Sequence, residues 1–141
     1  MKQVRIRRVI PAKIETVFRL WTDAGSVRQW WQIEGYSTDI VEIDLKSGGA
    51  YRIGMTPEGG QIFYISGVFN QVEWAKRLAY TWTSGDAEDL IKDTRVQIEF
   101  AELADGSTEM ILTHDDLRDQ LCEAYERGWN RLIDCLILFC Q

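Results

Sequence analysis

Residues 117–141 read LRDQLCEAYERGWNRLIDCLILFCQ, and this stretch decides the fold. At about 100° per residue, Leu121, Tyr125, Gly128, Trp129, Leu132, Leu136 and Phe139 fall on one side. Glu123, Glu126, Arg127, Asn130 and Asp134 fall on the other. A long amphipathic helix has to bury its apolar stripe, and nearly everything from Tyr36 to His114 reads as β-strand. The pattern predicts an α+β domain, a curved antiparallel sheet wrapped around a long C-terminal helix. Such an architecture often leaves a hollow between sheet and helix, and function is sought there.

Working outward, the chain predicts strand, two short helices, many strands and the long helix. Val4 to Ile10 is a strand stopped by Pro11. Ile14, Val17, Phe18 and Trp21 follow i, i+3, i+4, i+7 spacing and predict a helix ending near Asp23–Gly25. Ser26 is placed to cap a short helical turn carrying Trp30 and Trp31. Strands are predicted over Tyr36–Glu42, around Tyr51, Ile53 and Met55, and over Ile62–Val72. Gly67 inside the last of these suggests a bulge or bend. Leu78, Tyr80 and Trp82 share one face of the next strand, and Val96, Ile98 and Phe100 one face of the one after. Ser84 to Lys92 reads as a polar loop, and Ala104-Asp105-Gly106 turns the chain into a final strand, Glu109–His114. No linker or repeat divides the 141 residues, which predicts a single domain over residues 1–141.

Composition narrows the function classes. The net charge of −6 without a Lys/Arg stripe argues against nucleic acid as partner. Arg5, Arg7 and Arg8 alternate with Val4 and Ile6 and are expected on an exposed strand face. No apolar run approaches the roughly 18 residues that would insert in a membrane, and the first residues lack the apolar core of a signal peptide. Cys122, Cys135 and Cys140 form no Cys-x-x-Cys pair, so a reduced, cytoplasmic chain is expected. One histidine and three helix cysteines give no zinc spacing. No phosphate-binding glycine loop or Gly-x-Ser-x-Gly elbow is present. No metal and no cofactor are therefore expected. Asp115-Asp116 and the Asp86/Glu88/Asp89 group read as solvated loop charges.

Several pieces together resemble the family named for the activator of the 90-kDa heat-shock protein ATPase. They are Val17–Asp23, Gln29-Trp30-Trp31, Gly48–Arg52, Arg77–Trp82, Leu112-Thr113-His114 and Gly128-Trp129, spread in order over almost the whole chain. That family belongs to the lipid-transfer (START) and birch-pollen-allergen superfamily, also called the polyketide cyclase/dehydrase and lipid transport superfamily. The resemblance implies the helix-grip fold and a ligand cavity between sheet and helix. It implies no single activity, because that superfamily spans lipid carriers, cyclases, hydrolases, self-resistance proteins and co-chaperone domains; function has to be argued from the site.

Which residues line the cavity depends on register. If Ala104–Gly106 is a three-residue loop with Gly106 left-handed, Val96 faces His114, Ile98 faces Leu112 and Phe100 faces Met110. If only Asp105-Gly106 form the loop, Ile98 faces Thr113 and His114 turns outward, since a one-residue slip exchanges faces. The first register pairs large apolar residues and is favoured. The expected ligand-binding set is Tyr64, Tyr80, Trp82, Val96, Ile98, Leu112, His114, Tyr125, Trp129 and Leu132. Tyr64, Tyr80 and Tyr125 could orient a carbonyl or hydroxyl, and Trp82 and Trp129 could form an aromatic wall. His114 is a weak candidate for acid/base work, a satisfied hydrogen bond being its commoner role. Arg52 could meet a ligand carboxylate, but alternation places it on the exposed face. Gly128 either lets helix and sheet approach or leaves room for a ligand, close packing being the simpler account. Trp30 and Trp31 seal one end.

The leading expectation is a protein that binds a small hydrophobic or aromatic molecule, lipid- or polyketide-like, rather than an enzyme. A chaperone-linked module of the stress response and a cyclase- or hydrolase-type enzyme using the same cavity are the alternatives. A way in is expected between the Ser84–Lys92 loop, the hairpin near Pro57 and the start of the last helix.

Overall fold

A computed structural model describes residues 2–85 and 90–141. Seven strands and three helices follow in the order β1 (Lys2–Ile10), α1 (Ile14–Thr22), α2 (Ala24–Trp30), β2 (Tyr36–Ile43), β3 (Ala50–Pro57), β4 (Phe63–Glu73), β5 (Arg77–Ser84), β6 (Ile91–Glu102), β7 (Thr108–Leu117) and α3 (Asp119–Cys140). The sheet order is β1-β7-β6-β5-β4-β3-β2, with every neighbouring pair antiparallel. This is the expected α+β, helix-grip arrangement.

Short connections suit antiparallel neighbours, and turn chemistry sets the register of the β6–β7 pair. Leu103 N–H bonds Ser107 O, and Gly106, at φ 87°, bonds back to Leu103 O. That closes a three-residue loop on Ala104-Asp105-Gly106. Val96 consequently pairs with His114, Ile98 with Leu112 and Phe100 with Met110, the register favoured from sequence.

The β4–β5 ladder passes from Ser66 opposite Thr83 to Phe69 opposite Tyr80, and shifts between Phe69 and Gln71. In between, Val68 N–H is taken by the Thr81 hydroxyl at 2.9 Å. A Cβ on Gly67 would stand 2.0 Å from Thr81 O, so no larger residue fits there without moving the backbone. The register shift of this ladder lies beyond Gly67, between Phe69 and Gln71, rather than at the glycine itself.

Some local expectations change. The short helix α2 is capped by Asp23, whose carboxylate accepts from Ser26 N–H at 3.0 Å; Ser26 lies inside the first turn. Those two hydrogen bonds from Ser26, hydroxyl first, hold the Asp23 carboxyl below its ordinary value. Arg8 shares parity with Val4, Ile6 and Ile10, all buried, and so turns inward rather than lying on the exposed face. It donates to Asn130 Oδ1 at 3.1 Å and Asp134 Oδ1 at 2.6 Å, tying β1 to α3.

On α3 the buried stripe is Trp129, Leu132, Ile133 and Leu136, a run of i, i+3, i+4 and i+7. Phe139, expected on the buried side, is 44% exposed, whereas Ile133 is fully buried. At about 100° per residue, Leu121, Gly128 and Phe139 stand about 70–90° away from the centre of that stripe. The helix is therefore rolled, with Ile133 turned in and Phe139 turned out.

Candidate functional site

Much of the interior beneath α3 is built of tryptophan. Trp21, Trp30, Trp31, Trp82 and Trp129 are all buried and touch in series, with ring centroids 5.0 Å apart for Trp21 and Trp30 and 4.9 Å for Trp82 and Trp129. A buried indole N–H needs an acceptor. Trp21 donates to Met110 Sδ at 3.1 Å, Trp30 to Leu20 O at 2.7 Å, Trp82 to Tyr125 Oη at 3.3 Å and Trp129 to His114 Nδ1 at 3.0 Å. Trp31 Nε1 is the buried side-chain polar atom left without a partner among the described residues.

His114 belongs to this packing. An indole nitrogen can only donate, so the bond from Trp129 makes Nδ1 the unprotonated nitrogen. Neutral His114 then carries its proton on Nε2 and donates it to Thr94 Oγ1 at 2.8 Å. Thr94 in turn donates to Trp82 O at 2.9 Å. Burial pushes the imidazole pKa down to about 4, with the Asp116 carboxylate pulling weakly the other way. Both nitrogens are occupied and the ring has no exposed surface. The geometry makes it a satisfied core histidine, the commoner of the two roles weighed from sequence.

Two spaces lie side by side under the sheet and share Trp31 and Trp82 in their walls. The inner one, ringed by Trp21, Val27, Ile43, Tyr51, Ile53, Phe69, Leu78 and Tyr80, is reduced to about 30 Å³, one water's worth. The outer one holds about 320 Å³ and is lined by Trp31, Ile33, Tyr36, Met55, Phe63, Ile65, Trp82, Ala124, Tyr125, Gly128, Trp129, Arg131 and Leu132. Its volume falls at the lower end of small-molecule sites, about 300–1,000 Å³.

Of the residues expected to bind ligand, Trp82, Tyr125, Trp129 and Leu132 meet around this outer hollow. Tyr80 faces the inner, filled space. Val96, Ile98, Leu112 and His114 are buried but outside the described lining of the hollow. Tyr64 is a correction. Strand parity gives Phe63 and Ile65 to the hollow and turns Tyr64 to the outer face, where the Arg52 guanidinium lies 4.7 Å over its ring. Arg52 also pairs with Glu42 at 2.9 Å, so it is exposed as expected and engaged.

Sequence reasoning missed Met55, whose alternation with Tyr51 and Ile53 could have revealed it, Phe63 and Ile65, which lie in a run apolar on both faces, and Ile33, Tyr36 and Arg131. Close packing at Gly128 is corrected as well: a Cβ there would meet nothing within 4 Å. The expected gate loop includes residues 86–89, with the Asp86/Glu88/Asp89 carboxylates, which lie outside the described residues. Among the described residues the hollow is lined by Ile33, Tyr36, Phe63 at the start of β4 and the middle of α3. No three His, Cys, Asp or Glu side chains gather as metal ligands among the described residues. No described helix is long and apolar enough to cross a membrane.

The hollow can hold an apolar body and offer it a few polar contacts. Tyr125 keeps its proton, because burial raises the phenol pKa more than the hydrogen bonds from Trp82 and Ser84 lower it. Its hydroxyl accepts from Trp82 and also meets Ser84.

Comparison with known proteins agrees with this architecture. The family model for Activator of Hsp90 ATPase homolog 1-like protein matches residues 11–137. A crystal structure from Chromobacterium violaceum superposes with a TM-score of 0.83 at 22% identity, covering 99% of this chain and 98% of that one. An AHSA1-like protein from Aeromonas hydrophila gives 0.82 at 23% identity, with 98% and 91% covered. The AHSA1 protein from Silicibacter pomeroyi gives 0.83 at 23%, with 97% and 96% covered. These identities speak for the fold alone. Curated protein sequences give no significant match.

Proposed function

The chain belongs to the family of Activator of Hsp90 ATPase homolog 1-like proteins, and from that premise we propose that it binds a small hydrophobic or aromatic molecule between the sheet and α3. One observation carries the reading: an apolar hollow of about 320 Å³ stays open beside a space packed down to about 30 Å³. Interiors normally close such voids, because unfilled apolar space forfeits packing. Trp82 and Trp129 supply a broad aromatic wall, and Tyr125 supplies a hydroxyl.

The enzyme reading draws no support from His114, whose two ring nitrogens are both taken, by Trp129 and Thr94. The chaperone-linked, stress-response reading rests on the family description alone. Neither is carried further.

Native mass spectrometry of the purified protein, followed by solvent extraction, tests the proposal. A stoichiometric apolar passenger is the expected result. An empty protein that also leaves its tryptophan fluorescence unchanged across a lipid and polyketide panel would sink it.

A further inference from the structure

The polar groups around the hollow are one-sided. Among its described lining residues there is no carboxylate and no side-chain amide. The polar side chains are Trp31, Tyr36, Tyr125 and Arg131, and each can donate a hydrogen bond. Arg131 carries the only formal charge in that lining. It sits on the exposed flank of α3, one turn beyond Gly128, and makes no ion pair or hydrogen bond among the described residues. Several other arginines of this acidic chain are held by carboxylates: Arg7 by Glu109, Arg8 by Asp134, Arg95 by Asp116 and Arg127 by Glu123. Glu34 and Asp134 share a shallow recess with Arg131 outside the hollow, but Asp134 is already held by Arg8 and Glu34 stands beyond ion-pair distance.

Gly128 is the second observation. A glycine inside a helix costs about 1 kcal/mol relative to alanine. Nothing lies within 4 Å of where its Cβ would be, so helix–sheet contact does not account for it. Gly128 is exposed and lines the hollow on the flank that also carries Tyr125, Leu132 and Arg131, so a large side chain there would stand at its mouth.

We infer that the molecule taken by the hollow is an organic acid. Its flat or acyl body lies against the bare helix flank at Gly128 and the Trp82–Trp129 wall, and its carboxylate meets the Arg131 guanidinium at the rim. This rests on the proposed binding function and names its ligand class. A planar guanidinium suits a carboxylate through two parallel hydrogen bonds, while the apolar lining sets the affinity for the body.

Calorimetric titration of the purified protein at neutral pH tests this with two matched pairs, 2-naphthoate against 2-naphthamide and decanoate against decan-1-ol. At least one acid is expected to bind about tenfold more tightly than its neutral partner, a difference of about 1.4 kcal/mol. Arg131→Gln, an exposed substitution, should shrink that preference to within about twofold, and high salt should weaken it. Gly128→Leu should abolish binding of acid and neutral partner alike, with folding checked by circular dichroism. The pair that responds identifies an aromatic or an acyl body. Equal binding of acid and neutral partner, or a preference unchanged in Arg131→Gln, overturns the acid assignment and leaves the hollow-binding function standing. Binding of none of the four overturns the assignment; the binding function itself falls only if extraction also returns an empty protein.

Discussion

The Trp129 indole donates to His114 Nδ1 across 3.0 Å, and this one bond decides the state of the only histidine in the chain. With Nδ1 accepting, the proton must sit on Nε2 and point to Thr94. The strand register that brings His114 inward, opposite Val96, thus ends in a hydrogen-bond chain that ties α3 to three strands.

The first prediction concerns pH. The folded imidazole pKa of about 4 lies below the ordinary 6.5, so the fold favours the neutral ring. Below pH 6.5 the unfolded chain takes up a proton that the folded chain refuses. Stability contributed by this site is fully present above pH 6.5 and is lost as pH falls through about 4, a total of about 3 kcal/mol. Asp23 and Asp105, both held below 3.8 by hydrogen bonds from serines, lose their contribution only at lower pH. An NMR titration of the single imidazole should give a midpoint near 4 and the Nε2–H tautomer at neutral pH. A midpoint near 6.5 would contradict the buried network.

Thr94 makes the second prediction. Its hydroxyl accepts from His114 Nε2 and donates to Trp82 O. Thr94→Val keeps the shape and leaves a buried N–H and a carbonyl without this partner, which should cost about 1–3 kcal/mol. Thr94→Ser keeps the hydroxyl and should lose only about 0.8 kcal/mol for the missing methyl. Chemical denaturation of the two variants measures the difference; equal losses would show that the hydroxyl contributes nothing.

How far such a site is legible in sequence depends on how many faces of a segment are apolar. The clean alternation of Val96, Ile98 and Phe100 with polar neighbours, together with Asp105-Gly106, specified a register that the structure reproduces. Residues 62–65, Ile-Phe-Tyr-Ile, are apolar on both faces, so parity could not choose between Tyr64 and Phe63. On α3 the apolar arc is wider than the buried stripe, and only packing against the sheet fixes the roll that exposes Phe139 and buries Ile133. Arg8 hides within an arginine cluster that pattern alone assigns to solvent; its partners Asn130 and Asp134 come from the far end of the chain. Whether the interior is open or filled is a sum over side-chain volumes from several strands and helices, and no local pattern encodes it.

Adjacent tryptophans offer a third test. Trp30 donates to Leu20 O at 2.7 Å, whereas the Trp31 N–H is buried without an acceptor. Replacing either by Phe removes similar apolar surface. Trp30→Phe also strands a carbonyl, while Trp31→Phe removes an unsatisfied donor. Trp30→Phe should therefore be the more damaging by about 1–2 kcal/mol, read as the gap between denaturation midpoints at constant slope. Equal effects would mean that the Trp31 N–H costs the fold nothing.

Two glycines complete the set, because the same substitution should act in opposite directions at each. At Gly67 an added Cβ meets Thr81 O at 2.0 Å and Thr81 C at 2.7 Å. Both are backbone atoms of a paired strand, and neither can step aside without opening the β4–β5 ladder. Gly67→Ala should cost several kcal/mol or prevent folding, among the larger single-residue effects. At Gly128 the Cβ meets open space, and α3 gains an ordinary helix former. Gly128→Ala should stabilise by about 1 kcal/mol, and a thermal melt should rise by a few degrees. If Gly128→Ala instead destabilises, the hollow is narrower at the helix flank than its lining indicates, and the argument that Gly128 keeps space for a ligand fails with it.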